Sequence, residues 1–263
     1  MVSSRLFRQL RILFLLFILL AVAGDAWLAN SRATDWDDAL WAAIYPINAD
    51  GGRVTGAYIS SLEDRDFLQL EDFLSRQASA YGKAGKDLLK VRLGSEISTL
   101  PPVPPEHGNV LAVVWWSLKL RFWAMRAGLG VDGPPADVRI YVIYHDPAEH
   151  PRLAHSLGLQ EGLIGVVNAY ASKPYTGSNN VVIAHELLHT LGATDKYDVV
   201  SLQPVYPQGY AQPELDPLYP QSMAEVMGGR IPLSRTRSEI PRSLQKTVIG
   251  RVTAEEINWL KQR

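Results

Sequence analysis

The stretch that most limits how this chain can fold is His185-Glu186-Leu187-Leu188-His189-Thr190-Leu191-Gly192-Ala193-Thr194-Asp195. On a helix, residues i and i+4 share a face, so the Nε2 atoms of His185 and His189 converge on one metal ion. Glu186, next to the first histidine, lies close to the metal without facing it, where a carboxylate accepts a proton from activated water instead of acting as a ligand. Val181, Val182, Ile183, Leu187, Leu188 and Leu191 give this helix an apolar face, and Asn179 and Asn180 are the expected N-caps. Two histidines on a core-packed helix are costly to bury without partners, which favours a metal over chance.

Gly192 adopts a positive φ with ease, so it is expected to end the helix and swing the chain back until a third side chain reaches the metal. Asp195 is the preferred third ligand. Asp198, Glu214 and Glu225 are the alternatives, although Glu214 sits among prolines with no helical period. Three protein ligands plus water make a catalytic zinc site, whereas structural zinc is closed by four ligands, commonly cysteines. The chain has no cysteine, so an open, hydrolytic Zn2+ site is favoured.

The pattern His-Glu-x-x-His-x-x-Gly-x-x-Asp resembles the metzincin clan of zinc metallopeptidases, in the variant where aspartate replaces the usual third histidine. Ser222-Met223-Ala224-Glu225-Val226-Met227-Gly228-Gly229 is similar to the methionine turn of that clan, with Met227 the better candidate because two glycines follow it. The resemblance covers roughly residues 181 to 229 by motif. It implies an α/β (α+β) zincin fold: a mixed twisted sheet, an active-site helix carrying the motif, and a smaller C-terminal subdomain. It also implies peptide hydrolysis with His185, His189 and Asp195 as zinc ligands and Glu186 as general base. The same chemistry allows a zinc amidase acting on a non-peptide or cell-envelope amide, and a non-catalytic exported module would keep the metal as a folding clamp.

At the N-terminus, Arg5, Arg8 and Arg11 precede an apolar run from Ile12 to Ala23, and Gly24-Asp25 interrupts before Ala26 to Ala29. Residues 1–29 are expected to be an export segment, either a retained signal anchor of about eighteen residues or a signal peptide cleaved after Ala21-Val22-Ala23. The anchor is favoured because Trp27 suits the interface and no spacer follows. In both cases the arginines leave residues 30–263, the catalytic domain, outside the cytoplasm. The protein is then membrane-anchored, or secreted or periplasmic after cleavage. A net charge of −1 gives no reason to expect nucleic acid as a partner.

Periodicity predicts a strand over Leu40–Ile47 ending near Pro46, a helix over Leu62–Tyr81 and a strand over Leu88–Leu93. A core helix is expected over Val110–Ala127, with strands over Val138–Tyr144 and Gly162–Ala169. The last of these is the candidate for edging the cleft and pairing with an extended peptide. Thr253-Ala254-Glu255-Glu256 reads as a capping box opening a final helix. The proline-rich stretch from Tyr197 to Pro220 reads as a substrate-facing loop, with Tyr210 or Tyr219 the named candidates for stabilising an oxyanion. His107, His145, His150 and His155 lack ligand spacing and default to surface or hydrogen-bonded roles.

Overall fold

The computed structural model describes residues 8–9, 11–14, 16–17, 24, 31–83, 87–105, 109–128, 136–160 and 162–260. Most of residues 1–29, the expected export segment, therefore lies outside the described residues, as does His107. Among the described residues, no helix is long and apolar enough to cross a membrane.

The main elements are β1 (Leu40–Asn48), α1 (Arg53–Ser60), α2 (Leu68–Ala80), β2 (Leu89–Leu93), α3 (Val110–Ala127), β3 (Val138–His145), β4 (Leu157–Leu159), β5 (Ile164–Tyr170) and α4 (Thr176–Thr190). After α4, among the described residues, come the two-residue strands β6 (Ala224–Glu225), β7 (Ile231–Pro232), β8 (Ser238–Glu239) and β9 (Thr247–Val248), 3-10 turns over Val226–Gly228 and Leu244–Lys246, and α5 (Arg251–Glu256). The five-stranded sheet runs β2-β1-β3-β5-β4. β4 pairs antiparallel with β5, and every other neighbouring pair is parallel. The fold is thus mixed α/β with a mixed sheet.

Both faces of the sheet are covered, which explains the nearly continuous apolar runs of β1 and β3. Strand alternation sends Ile44, Ile140, Val142 and Val167 to one face, against Phe73 and Leu74 of α2 and Ile183, Ala184, Leu187 and Leu188 of α4. It sends Ala43, Tyr45, Tyr141, Ile143 and Val166 to the other, against Leu120 and Ala124 of α3. The motif helix α4 and α3 therefore lie on opposite sides of the sheet.

Several expectations are corrected. Asn179 and Asn180 do not cap the motif helix, which begins three residues earlier, after a single 3-10 turn over Lys173–Tyr175. Both are buried inside it, where the Asn179 amide bonds the backbone N–H and carbonyl of Tyr170 and Asn180 donates to the Asp66 carbonyl. Packing against β5 has outweighed the capping preference of asparagine. The Leu62–Tyr81 helix is shortened: Glu63 and Asp66 form a capping box around a 3-10 turn over Asp64–Phe67, and α2 starts at Leu68. β1 runs past Pro46, whose carbonyl accepts from Ile97. Its missing N–H costs no bond to β2, which pairs only with residues 40–44.

The Gly162–Ala169 strand begins at Ile164 and is interior, lying between β3 and β4. The sheet edge on that side is β4, too short to stand out in the sequence. Thr253 does not cap the last helix. It lies within α5 and its hydroxyl donates to Glu225. The largest departure is α3: the 18-residue span matches, yet only Leu120 and Ala124 are buried.

Candidate metal centre

Three ligand atoms meet at the C-terminal end of α4. His185 Nε2 lies 3.0 Å from His189 Nε2 and 3.0 Å from Asp195 Oδ1, and His189 Nε2 lies 3.1 Å from the same oxygen. The other ring nitrogens face main-chain oxygens: His185 Nδ1 is 2.9 Å from Val226 O, and His189 Nδ1 is 2.7 Å from Ala193 O. A carbonyl only accepts, so each Nδ1 carries the hydrogen and each neutral Nε2 presents a lone pair. Two lone pairs and a carboxylate oxygen thus converge with no donor among them unless a proton is taken up. Such a triangle is unfavourable without a cation at its centre.

The spacing fits a small divalent ion. Zinc bound to nitrogen and oxygen at ~2.0–2.1 Å with tetrahedral angles sets ligands about 3.3 Å apart, so a small outward movement accommodates it. Among the described residues, His185, His189 and Asp195 form the one group of three or more such side chains able to hold a metal ion. The alternative third ligands are engaged elsewhere or apart. Asp198 accepts from the N–H and hydroxyl of Ser201. Glu225 is fully buried and accepts from Gly228 N, Gly250 N and Thr253 Oγ1. Glu214 is exposed in the loop.

The return of the chain after α4 is built as the glycine suggests. Gly192 has φ +101°, a conformation that other residues adopt only with strain. The loop is then clamped on both sides of Asp195. Glu256 of α5 accepts from the Thr194 N–H and hydroxyl and from Lys196 Nζ at 2.6 Å. The Lys196 N–H donates to Met227 O. Met227 itself is fully buried, in a 3-10 turn that Gly229 closes with φ +70°. From the other side, β4 approaches so closely that a Cβ on Gly158 would meet Glu186 O at 2.5 Å and His189 Cβ at 2.6 Å.

Glu186 is 5% exposed, and its Oε2 is buried with no hydrogen-bond partner. Burial pushes its carboxyl up, with His185 and His189 pulling the other way. It lines a cavity of about 890 Å³ together with His185 and Tyr197. Arg152, Arg230 and Arg242 also line this cavity, and Glu186 is the sole carboxylate doing so among the described residues.

Tyr210 and Tyr219, the phenols picked from sequence, do not line it. Their hydroxyls bond each other at 2.7 Å. Tyr197 takes that place, its ring 6.1 Å from His185 and inclined at 37°. Burial, then the negative charges of Asp195 and Glu186, push its hydroxyl up to about 12, so it stays a neutral donor. The signal was available: Tyr197 is two residues past Asp195, but its distance from the ligands cannot be read without the return of the loop.

No protein-family model matches this chain, and no curated protein matches it either.

Proposed function

We propose that this chain is a zinc-dependent metallopeptidase of metzincin type, exported and held at a membrane by residues 1–29. The observation that carries this reading is the buried, unpartnered Glu186 Oε2 on the wall of an open cavity beside three converging ligand atoms. A glutamate so desolvated is costly for a merely structural role. It suits a group that takes up and returns a proton.

His185, His189 and Asp195 would hold the zinc, which when bound acidifies water and polarises a carbonyl. Glu186 removes the proton from the water that attacks the peptide carbon and delivers it to the departing amine, so that peptide and water leave as acid and amine. Tyr197 donates to the carbonyl oxygen as it gains negative charge. The outer edge of β4, which has no strand partner among the described residues, takes an extended substrate by strand addition. The three arginines around the cavity favour substrates with acidic side chains.

Cleavage of a mixed peptide library by the purified full chain, with zinc and with a chelator, tests the reading. Zinc-dependent cleavage is expected. Turnover of cell-envelope amides with none of peptides would move the assignment to an amidase, and stoichiometric zinc without any hydrolysis would reduce the site to a folding clamp.

A further inference from the structure

The helix α3 carries an apolar surface that the fold does not use. Its inner face seals the sheet through Leu120 and Ala124, with Trp116, Trp123 and Ala127 packed alongside. Its outer face shows Leu111 77%, Val114 51%, Trp115 61%, Leu118 51%, Phe122 57% and Met125 57% exposed. At roughly 100° per residue these six fall within an arc of roughly 100°, a continuous stripe along the helix. Monomeric proteins rarely leave such a stripe in water without a partner.

The charges flanking the stripe identify the occupant. Residues 110–127 contain Lys119, Arg121 and Arg126 and no aspartate or glutamate. Helical geometry puts Lys119 and Arg126 along one border of the stripe and Arg121 along the other, where the Arg121 Nε is buried and turned back beside Gly162. Lys119 lies over the Trp115 ring at 5.6 Å and Arg126 over Phe122 at 5.9 Å, so cationic tips sit directly on the apolar surface. A second copy docked through this face would set like charges against each other with no acid on the helix to meet them. An anionic headgroup layer over acyl chains meets both the cations and the stripe, and Trp115 suits the interfacial depth.

We propose that α3 is a membrane-docking helix. It lies flat in the headgroup region of an anionic bilayer, its stripe in the acyl boundary, and turns the sheet face opposite the metal-centre helix toward the lipid. This docking does not depend on hydrolytic activity, so it stands or falls separately from the peptidase reading.

The absence of cysteine makes a direct test available. The full chain carrying Leu118→Cys is labelled with a nitroxide and reconstituted into vesicles of equimolar phosphatidylcholine and phosphatidylglycerol. Leu68→Cys, at a position 48% exposed on α2 across the sheet, is the reference. The label at 118 is expected to collide several-fold less with a water-soluble nickel chelate, and more with oxygen, than the label at 68. Adding Lys119→Glu and Arg126→Glu together should erase that difference. Equal chelate access at both positions, or spin–spin broadening at 118 that persists on lipid dilution and so reports a second copy, would overturn bilayer docking. Unchanged protection at 118 in vesicles of phosphatidylcholine alone, or in the charge-reversed variant, would overturn the anionic assignment.

Discussion

His185 presents its Nδ1 to the carbonyl oxygen of Val226 at 2.9 Å, so the residue immediately before Met227 fixes which ring nitrogen faces the ligand triangle. A backbone partner of this kind orients a metal-binding imidazole and sets its tautomer. Met227 is fully buried within that turn.

Met227→Ala should therefore cost about 2–5 kcal/mol through the cavity it leaves. It should also weaken zinc binding by about 10–100-fold through the loosened Val226 carbonyl. Met227→Leu keeps the volume and should retain most of both. Thermal unfolding of the metal-free variants, with zinc titration alongside, separates the packing effect from the orienting one.

Asp195 and Asp198 offer a clean contrast. Asp195 closes the triangle with both histidines, whereas Asp198 caps a turn through Ser201. Asp195→Ala should lower zinc affinity more than about a hundredfold, beyond the loss typical of an outer-shell partner. Asp198→Ala should leave zinc stoichiometry at the wild-type value. Competition with a chromophoric chelator measures both.

The metal-free protein should respond to pH in a defined direction. Burial opposes charging His185, but its bond to Asp195 and the nearby Glu186 charge outweigh this and hold its pKa up to about 8, above the ordinary 6.5. A raised pKa contributes stability that is full below 6.5 and lost as pH rises through about 8. Burial raises Asp195 as well, yet the two histidines hold it well below the ordinary 3.8, so its contribution is present above that value and lost in stronger acid. The chelated protein should thus melt at lower temperature at pH 8.5 than at pH 6.5 as this pairing is lost, while apparent zinc affinity rises over the same interval because the proton no longer competes. Melting curves at a series of pH values check the first, and zinc titrations the second.

Tyr197→Phe should reduce kcat by about 10²–10³-fold with little change in KM if its hydroxyl serves the developing oxyanion. Tyr210→Phe, which removes a hydroxyl paired with Tyr219 outside the cavity, should leave kcat unchanged. Steady-state kinetics on one cleaved peptide distinguish them.

The parts legible in sequence were those written in local spacing. His185 and His189 at i and i+4, the positive φ at Gly192 and the buried strand read over Val138–Tyr144 follow from helix, turn and pleat geometry alone. What stayed hidden depended on distant packing. Asn179 and Asn180 read as caps because their partners, Tyr170 and Asp66, come from a strand and a distant turn. The three-residue edge strand β4 has too little pattern to detect, so β5 was given its place. The exposure of α3 is not legible because apolar residues run almost all round it. Periodicity cannot say which side meets protein.

Zinc content and peptide turnover, measured together in Glu186→Gln and wild type, decide whether Glu186 is the general base. Glutamine keeps the size of the side chain but cannot accept the proton, so the account predicts one zinc per chain in both proteins and loss of turnover by more than about 10²–10⁴-fold in the variant. Full turnover in Glu186→Gln with zinc still bound would contradict it.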